Sequence, residues 1–321
     1  MLFLLSRHTT TRISGYTRAM SPPTCFVTGG TGRIGTSFVH EMAARGFTVR
    51  VGTRDPDGAD ARLRKAFGPG RVEPVGMPVD DTDALARALE GCESGLLIAS
   101  SFTDMTAWHT TMATAAAKAG VKHLVKVSVT GARAPGGDPP AGRIPSLHFA
   151  GEEAVRASGV PATMIRPTIF AQHFLGLSPA LFREGDGQFH LPTGDAKIAF
   201  VDCRDIAICA AAILSDPDKR KAAAGRAFEL TGPSAVTAAD IATLLSLAGE
   251  RTIAHVDGVD AFEKHAAAIG VGDGIKGIYG EAAGGWFGAV HDDEFVEFVG
   301  RHTTSFAKFA FDNQAAFTAR S

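Results

Sequence analysis

From residue 24 to about residue 166, short apolar and β-branched runs alternate with longer stretches in which apolar residues recur every three or four positions. The short runs predict strands over residues 24–28, 48–53, 72–75, 95–99, 123–129 and 162–166. The longer stretches predict helices near 32–45, 59–67, 81–90, 105–119 and 147–158. Gly46, Gly91, Gly120 and Gly159 stand where helix C-terminal caps are expected, and Asp81 and Asp104 where helices would begin. This rhythm belongs to an α/β chain: a Rossmann-type, doubly wound parallel sheet with right-handed crossovers.

The second half is less regular. Residues 168–200 carry Gly185, Gly187, Pro192 and Gly194 and read as loops and short elements. Helices follow near 203–214, 237–249 and 259–268, with a strand at 226–230. Residues 271–288 are glycine-rich and hold Trp286 and Phe287, and the stretches 293–298 and 305–317 look helical and aromatic. The expected division is an N-terminal extension at 1–20, a nucleotide-binding domain at 21–167, and a mostly substrate-binding α/β lobe at 168–321. Segments of that last part are expected to return to the first domain.

The most informative short stretch is Thr28-Gly29-Gly30-Thr31-Gly32-Arg33-Ile34-Gly35. It follows a strand and opens a helix carrying Ile34, Phe38 and Met42 at four-residue spacing. A strand, a glycine turn and a helix in that order build a dinucleotide site. The glycines let the backbone approach a pyrophosphate, and the helix N-terminus offers unpaired N–H groups to the anion. The end of the second strand meets the adenosine ribose in such a site, and here it reads Thr53-Arg54-Asp55. Arg54 suits the 2′-phosphate of NADP, with Thr53 adding a hydroxyl, whereas Asp55 argues for NAD unless it only begins a turn before Pro56. NADP(H) is the expected cofactor, with NAD(H) the alternative.

Composition narrows the partners. The chain has 321 residues, 45% apolar and 21% charged, with a net charge of −2. That balance gives no footprint for nucleic acid or an anionic membrane, so a small-molecule substrate is expected, with the chain a monomer or homodimer. Cys25, Cys92, Cys203 and Cys209 form no CxxC pair and have no histidine cluster beside them. Reduced, buried thiols are expected, and no metal site. Residues 1–20 hold Arg7, Arg12 and Arg18, several Ser and Thr and no acid. They read either as a mitochondrial transit peptide or as a disordered extension ahead of a start at Met20, so the expected location is cytoplasmic unless the former holds.

The glycine fingerprint, Arg54-Asp55-Pro56, Gly120-Val121-Lys122-His123, Ser158-Gly159-Val160-Pro161, Arg166-Pro167-Thr168, Phe200-Val201-Asp202-Cys203-Arg204-Asp205-Ile206-Ala207 and Leu230-Thr231-Gly232-Pro233 occur in one order. Together with the Ser305-Phe306…Phe309…Asn313…Phe317 tail they resemble the NmrA-like branch of the atypical short-chain dehydrogenase/reductases. That branch includes NADPH-dependent quinone and triphenylmethane-dye reductases, relatives of ergot-alkaloid dehydrogenases, and NADP-sensing regulators without turnover.

The resemblance implies roles for particular residues. Gly29, Thr31, Gly32, Arg33, Ile34 and Gly35 would hold the cofactor, with Thr53, Arg54 and Asp80 toward its adenosine end. Ser100 and Ser101 would lie over the phosphates and ribose, and Pro167, Thr168 and Ile169 would meet the carboxamide. Ser128 matches the family serine at the end of the fifth strand. Phe102, Phe170, His173, Phe174 and Trp286 would wall the substrate pocket. The Tyr-x-x-x-Lys pair of ordinary short-chain reductases is missing: its positions hold Ile144 and His148, and the only tyrosines are Tyr16 and Tyr279. What remains is His148-x-x-x-Glu152, two residues that share a helix face. Glu152 would orient His148 or raise its pKa. His148 would then hydrogen-bond the ribose or serve as a general acid at neutral pH.

The resemblance further implies that Asp202 and Asp205 link the lobes. The expected function is an NADPH-dependent reductase delivering hydride to a conjugated, electron-poor acceptor: a quinone, dye, iminium ion or activated alkene. Such acceptors become neutral or aromatic on reduction and need no dedicated tyrosine donor. The alternative is a non-catalytic NADP(H) sensor, which keeps the fingerprint and can lose the catalytic residues.

Overall fold

A computed structural model of the chain describes residues 22–58, 63, 67, 71–99, 104–134, 142–177, 181–182, 187–268 and 284–318. The expectations for residues 1–20, most of the helix at 59–67, Ser100, Ser101, Phe102 and most of the glycine-rich stretch at 271–288 lie outside these residues.

The first half alternates as its periodicity requires: β1 (Thr24–Thr28), α1 (Arg33–Ala44), β2 (Thr48–Thr53), β3 (Val72–Gly76), α2 (Thr82–Leu89), β4 (Cys92–Leu97), α3 (Met105–Lys118), β5 (His123–Val127), α4 (Arg143–Ala157) and β6 (Ala162–Pro167). Helices α1, α2, α3 and α4 are each followed by a glycine of positive φ, Gly46, Gly91, Gly120 and Gly159. Asp81 caps α2 by accepting from the amides of Asp83 and Ala84. Asp104 does not cap α3: it sits at φ 52°, in the left-handed region, and its side chain makes no cap bond. Helix α4 begins four residues before the predicted start. Pro145 looks like a breaker in the sequence, but it falls in the first turn, where its missing N–H has no helical partner to lose.

In the second half a 3₁₀ turn (Ala171–Leu175) precedes β7 (Gln188–His190), α5 (Cys203–Ser215), α6 (Pro217–Ala223), β8 (Ala227–Leu230), α7 (Ala238–Gly249), β9 (Ala254–Val256), α8 (Val259–Ala268), α9 (Asp293–Val299) and α10 (Phe306–Asp312). The main sheet has seven parallel strands in the order β3-β2-β1-β4-β5-β6-β8, and β7 pairs β9 in a separate two-stranded sheet. The order reverses direction between β1 and β4. Their C-terminal ends flank the crevice in which open α/β sheets place their ligands.

Period-2 alternation along the buried strands sends side chains to two helical layers. Cys25, Val27, Val125, Val127 and Ile165 pack with α1, α5 and α9, whereas Phe26, Leu97, Leu124 and Met164 pack with α2, α3 and α4. A third core belongs to the second half and is rich in phenylalanine, with Phe174, Phe182, Phe189, Phe200, Phe306 and Phe309 among its members. Polar contacts around α5 run beside it. Asp202 caps α5 through the Arg204 amide, accepts from Gln172 Nε2 at 2.8 Å and pairs Arg204, which also pairs Asp312. Asp205 accepts from Arg301 and from the Thr304 amide. All four cysteines are buried and free. Among the described residues no helix is long and apolar enough to cross a membrane.

Candidate active site

The glycine turn is built by close approach. Thr28 at the end of β1 accepts from the Ile98 amide at 2.7 Å and donates to the Ile98 carbonyl at 3.0 Å, which ties β1 to the chain leaving β4. Gly29 then turns at φ 64°, and the Gly32 amide donates to its carbonyl at 2.9 Å. Gly35 lies so near this turn that a Cβ there would stand 2.2 Å from the Gly29 oxygen and 2.6 Å from the Gly30 Cα. Helix α1 therefore starts hard against the turn. Its N-cap, Gly32, has no side chain to satisfy the first amides, which leaves an anion cradle at the helix N-terminus. Thr31 and Arg33 are exposed there, Ile34 is buried beneath, and the Arg33 guanidinium donates to the Leu175 carbonyl of the 3₁₀ turn.

At the adenosine end, Arg54 is exposed just beyond β2. Thr53 Oγ1 accepts from the Asp55 amide at 3.1 Å, and Asp55 accepts from the Gly58 amide at 3.0 Å, so Asp55 opens the next turn. Asp80 is exposed in the turn after β3. On the far side of the crevice Pro167 and Ile169 are buried. The Thr168 hydroxyl is buried with no hydrogen-bond partner among the described residues, and a buried hydroxyl of that kind suits a ligand amide.

Between these lies a buried polar cluster carried by β5, α4, α3 and β6. Ser128, just past β5, donates to Glu152 Oε1 at 2.6 Å. Arg166 on β6 clamps the same carboxylate with two bonds, Nε to Oε1 at 2.9 Å and a terminal nitrogen to Oε2 at 2.7 Å, and Arg156 adds a longer contact at 3.3 Å. Glu152 is 0% exposed. Burial alone would raise its pKa, but the bonds from Arg166 and Ser128 outweigh it and hold the carboxyl below its usual range. Two residues before Ser128, on the same strand face, Lys126 is also fully buried and places Nζ 3.2 Å from His148 Nδ1.

This arrangement corrects the sequence reading of the His148–Glu152 pair. Glu152 is committed to Ser128 and Arg166, while His148 takes its Nδ1 partner from the strand beneath. Nor is its pKa raised. Burial, with Lys126 and His109 nearby, pushes it down to about 2, so the imidazole is neutral at physiological pH and is not a ready cationic acid. Burial likewise lowers Lys126 to about 7, even with Glu152 opposing. His109 on α3 packs against α4 at Gly151, where a Cβ would stand 2.8 Å from its Nδ1, and that nitrogen faces the Met105 carbonyl at 2.7 Å.

Sequence reasoning missed Lys126 and the Arg166 clamp. A signal existed for the first: a lysine among the apolar residues of this strand, at period 2 from Ser128, must bury its charge beside a partner.

The proposed substrate wall divides. Phe170 and His173 meet edge-to-face with ring centroids 6.2 Å apart, and burial lowers the His173 pKa to about 4. Trp286 is 49% exposed, and the Arg133 guanidinium lies 4.8 Å from its ring centroid. Phe174 is no wall residue. It is 0% exposed at the centre of the second core, against Phe182, Phe189, Phe200 and Phe306.

The sequence pattern of the NmrA-like family matches residues 23–263. The chain is 30% identical over 301 residues to the NAD(P)H azoreductase of Xenophilus azovorans, covering 91% of this chain and 99% of that one. An NADPH-dependent quinone oxidoreductase of Escherichia coli, solved with NADPH, superposes with a TM-score of 0.72 at 25% identity, covering 89% and 98% of the two chains. The triphenylmethane reductase of Citrobacter sp., solved with NADP(H), shares the fold with a TM-score of 0.74 at 19% identity over 91% and 99% of the chains.

Proposed function

The chain belongs to the NmrA-like family, and from that premise we propose that it is an NADPH-dependent oxidoreductase that reduces a conjugated, electron-poor acceptor such as a quinone or a dye. The likeness to the azoreductase covers nearly the whole of both chains, and the quinone oxidoreductase superposes over its full length. The observation that carries the reading is the pairing of an open glycine turn with a site that lacks the short-chain tyrosine, since Ile144 stands in its place. Alkoxide-forming ketone reduction needs that proton donor, whereas acceptors that become aromatic or neutral on reduction do not.

In this reading the reduced nicotinamide supplies the hydride, and the residues of the chain bind, orient and exclude water. Gly29, Thr31, Gly32, Arg33, Ile34 and Gly35 hold the pyrophosphate at the α1 N-terminus. Arg54 takes the 2′-phosphate, with Thr53 beside it and Asp80 toward the adenine; Ser100 and Ser101 serve the phosphate and ribose side. The Thr168 hydroxyl, flanked by Pro167 and Ile169, meets the carboxamide. Ser128 and His148 face the nicotinamide ribose and the acceptor, and Glu152 holds Ser128 in place. Phe170, His173 and Trp286 border the acceptor from the C-terminal lobe, and Phe102, which follows β4 in the sequence, is assigned to the same pocket. The four buried, free thiols suit a reducing compartment such as the cytoplasm.

The test is a titration of NADPH followed by a panel of quinones and dyes, read at the nicotinamide absorbance band. Consumption with at least one acceptor supports the proposal. Tight NADPH binding with no consumption by any acceptor replaces it with a redox-sensor role.

A further inference from the structure

The function above leaves the purpose of the Lys126–His148 contact open. Lys126 sits on a strand whose five residues are all buried, and the surrounding layer is apolar except for this cluster. Among the described residues, the charged or titratable groups that face it come from three elements. These are His109 on α3, His148, Glu152 and Arg156 on α4, and Arg166 on β6. Arg166 is spent on Glu152, and the Lys126 nitrogen donates to the Val127 carbonyl at 3.4 Å and is aimed at an imidazole nitrogen rather than at the carboxylate. A buried ammonium has three protons and no lone pair. While Lys126 carries its proton, Nδ1 of His148 must accept, which leaves the proton of the neutral ring on Nε2.

We propose that Lys126 is a positioning residue for the reduction: it fixes His148 as the Nε2–H tautomer, and it replaces the proton when His148 gives that one to the reduced acceptor. The proposal rests on the oxidoreductase reading. Its balance is simple. A quinone takes one hydride from the reduced nicotinamide and one proton from His148 Nε2. As that N–H bond breaks, a Lys126 N–H bond breaks and an Nδ1–H bond forms, leaving a neutral amine. A proton from water at Nε2 then returns the Nδ1 proton to the amine. A lysine whose ammonium is already weakened by burial suits the exchange. A cationic triphenylmethane dye needs hydride alone to become neutral, so its reduction makes no use of the exchange.

Two measurements test this. In the ¹⁵N-imidazole NMR spectrum of the wild-type protein at pH 6, where Lys126 is mostly ammonium and His148 still neutral, with the His148 signal assigned by its loss in H148Q, the proton should sit on Nε2. An Nδ1–H tautomer or an imidazolium there overturns the proposal without any lysine variant. In K126M, Nδ1 loses its donor, and an Nδ1–H population should appear. The rate with a 1,4-naphthoquinone should fall at least about tenfold further than the rate with a cationic triphenylmethane dye, below the 10²-fold and more that a positioned donor can contribute. Equal losses with both acceptors mark a structural lysine and overturn it, as does an unchanged tautomer. K126R keeps a donor that does not release its proton, so it should restore the tautomer but not the quinone rate. Restoration of both would overturn the replacement step. If the wild type reduces no acceptor of the panel, the oxidoreductase reading falls and the proton exchange with it, while the tautomer assignment still stands or falls on the spectrum.

Discussion

Replacing Arg166 with Met isolates what holds the buried carboxylate at the centre of the site. Glu152 is 0% exposed and would lose two charge-assisted bonds, at 2.9 and 2.7 Å, keeping Ser128 at 2.6 Å and the weaker Arg156 contact. Breaking one partner of a buried pair costs about 3–5 kcal/mol. Protonation sets a ceiling on that cost. Relative to the ordinary glutamate value of 4.5, holding a proton on Glu152 costs about 4 kcal/mol at pH 7.5 and about 2 kcal/mol at pH 6, at 1.36 kcal/mol per unit. In R166M the carboxyl binds a proton in the folded state that the unfolded chain has released. The deficit relative to wild type must therefore shrink as pH falls. Urea unfolding at pH 7.5 and pH 6 should show the deficit falling by about half with the slope unchanged. In an E152Q background, R166M should cost less than about 1 kcal/mol, because no buried charge is left to orphan. A pH-independent deficit, or the same cost in the E152Q background, would refute the assignment of Arg166 as the counter-ion.

Three further outcomes follow from the geometry. Gly35→Ala places a Cβ 2.2 Å from the Gly29 oxygen, so the turn must shift. At about 1–3 kcal/mol for overpacking, NADPH affinity measured by fluorescence titration should fall about ten- to a hundredfold, and unchanged affinity would remove the turn from the cofactor site. Arg54→Glu should lower the preference for NADPH over NADH by at least about tenfold, the value of one charge-assisted bond, as read from the ratio of the two kcat/KM values. His109, His123 and His148 have pKa values pushed down by burial to about 3, 4 and 2. Below pH 6.5 the unfolded chain takes up protons that the folded one refuses, so stability falls from pH 6.5 toward 4, by about 2 kcal/mol per histidine at pH 5. A urea midpoint that stays level from pH 7 to pH 5 would contradict that burial.

The layer plan was legible because its signals are local. An apolar run, a glycine of positive φ after each of the first helices and a capping Asp81 are each read from a few neighbouring residues. The β7–β9 pair was not, since three-residue strands carry too little alternation and pair across 66 positions. Helix α6 was missed for a related reason: only Ala223 in its seven residues is buried, so it has no apolar stripe to read. In the site, Ser128, His148 and Glu152 were found as residues but not as contacts. Which of two carboxylate partners wins depends on β6 lying beside β5, and register between distant strands is a tertiary fact. Phe174 was assigned to the pocket because an aromatic in a loop looks the same in sequence whether it lines a cavity or fills a core.

The central claim is hydride delivery from bound NADPH to an external acceptor. Its most direct measurement uses NADPH carrying deuterium at C4, mixed with the protein and a cationic triphenylmethane dye, with the reduced dye analysed by mass spectrometry. Deuterium bonded to the central carbon of the product, at a rate that scales with protein concentration, is the predicted result. Tight binding of NADPH with no deuterated dye, and no consumption of NADPH with any quinone, would contradict it.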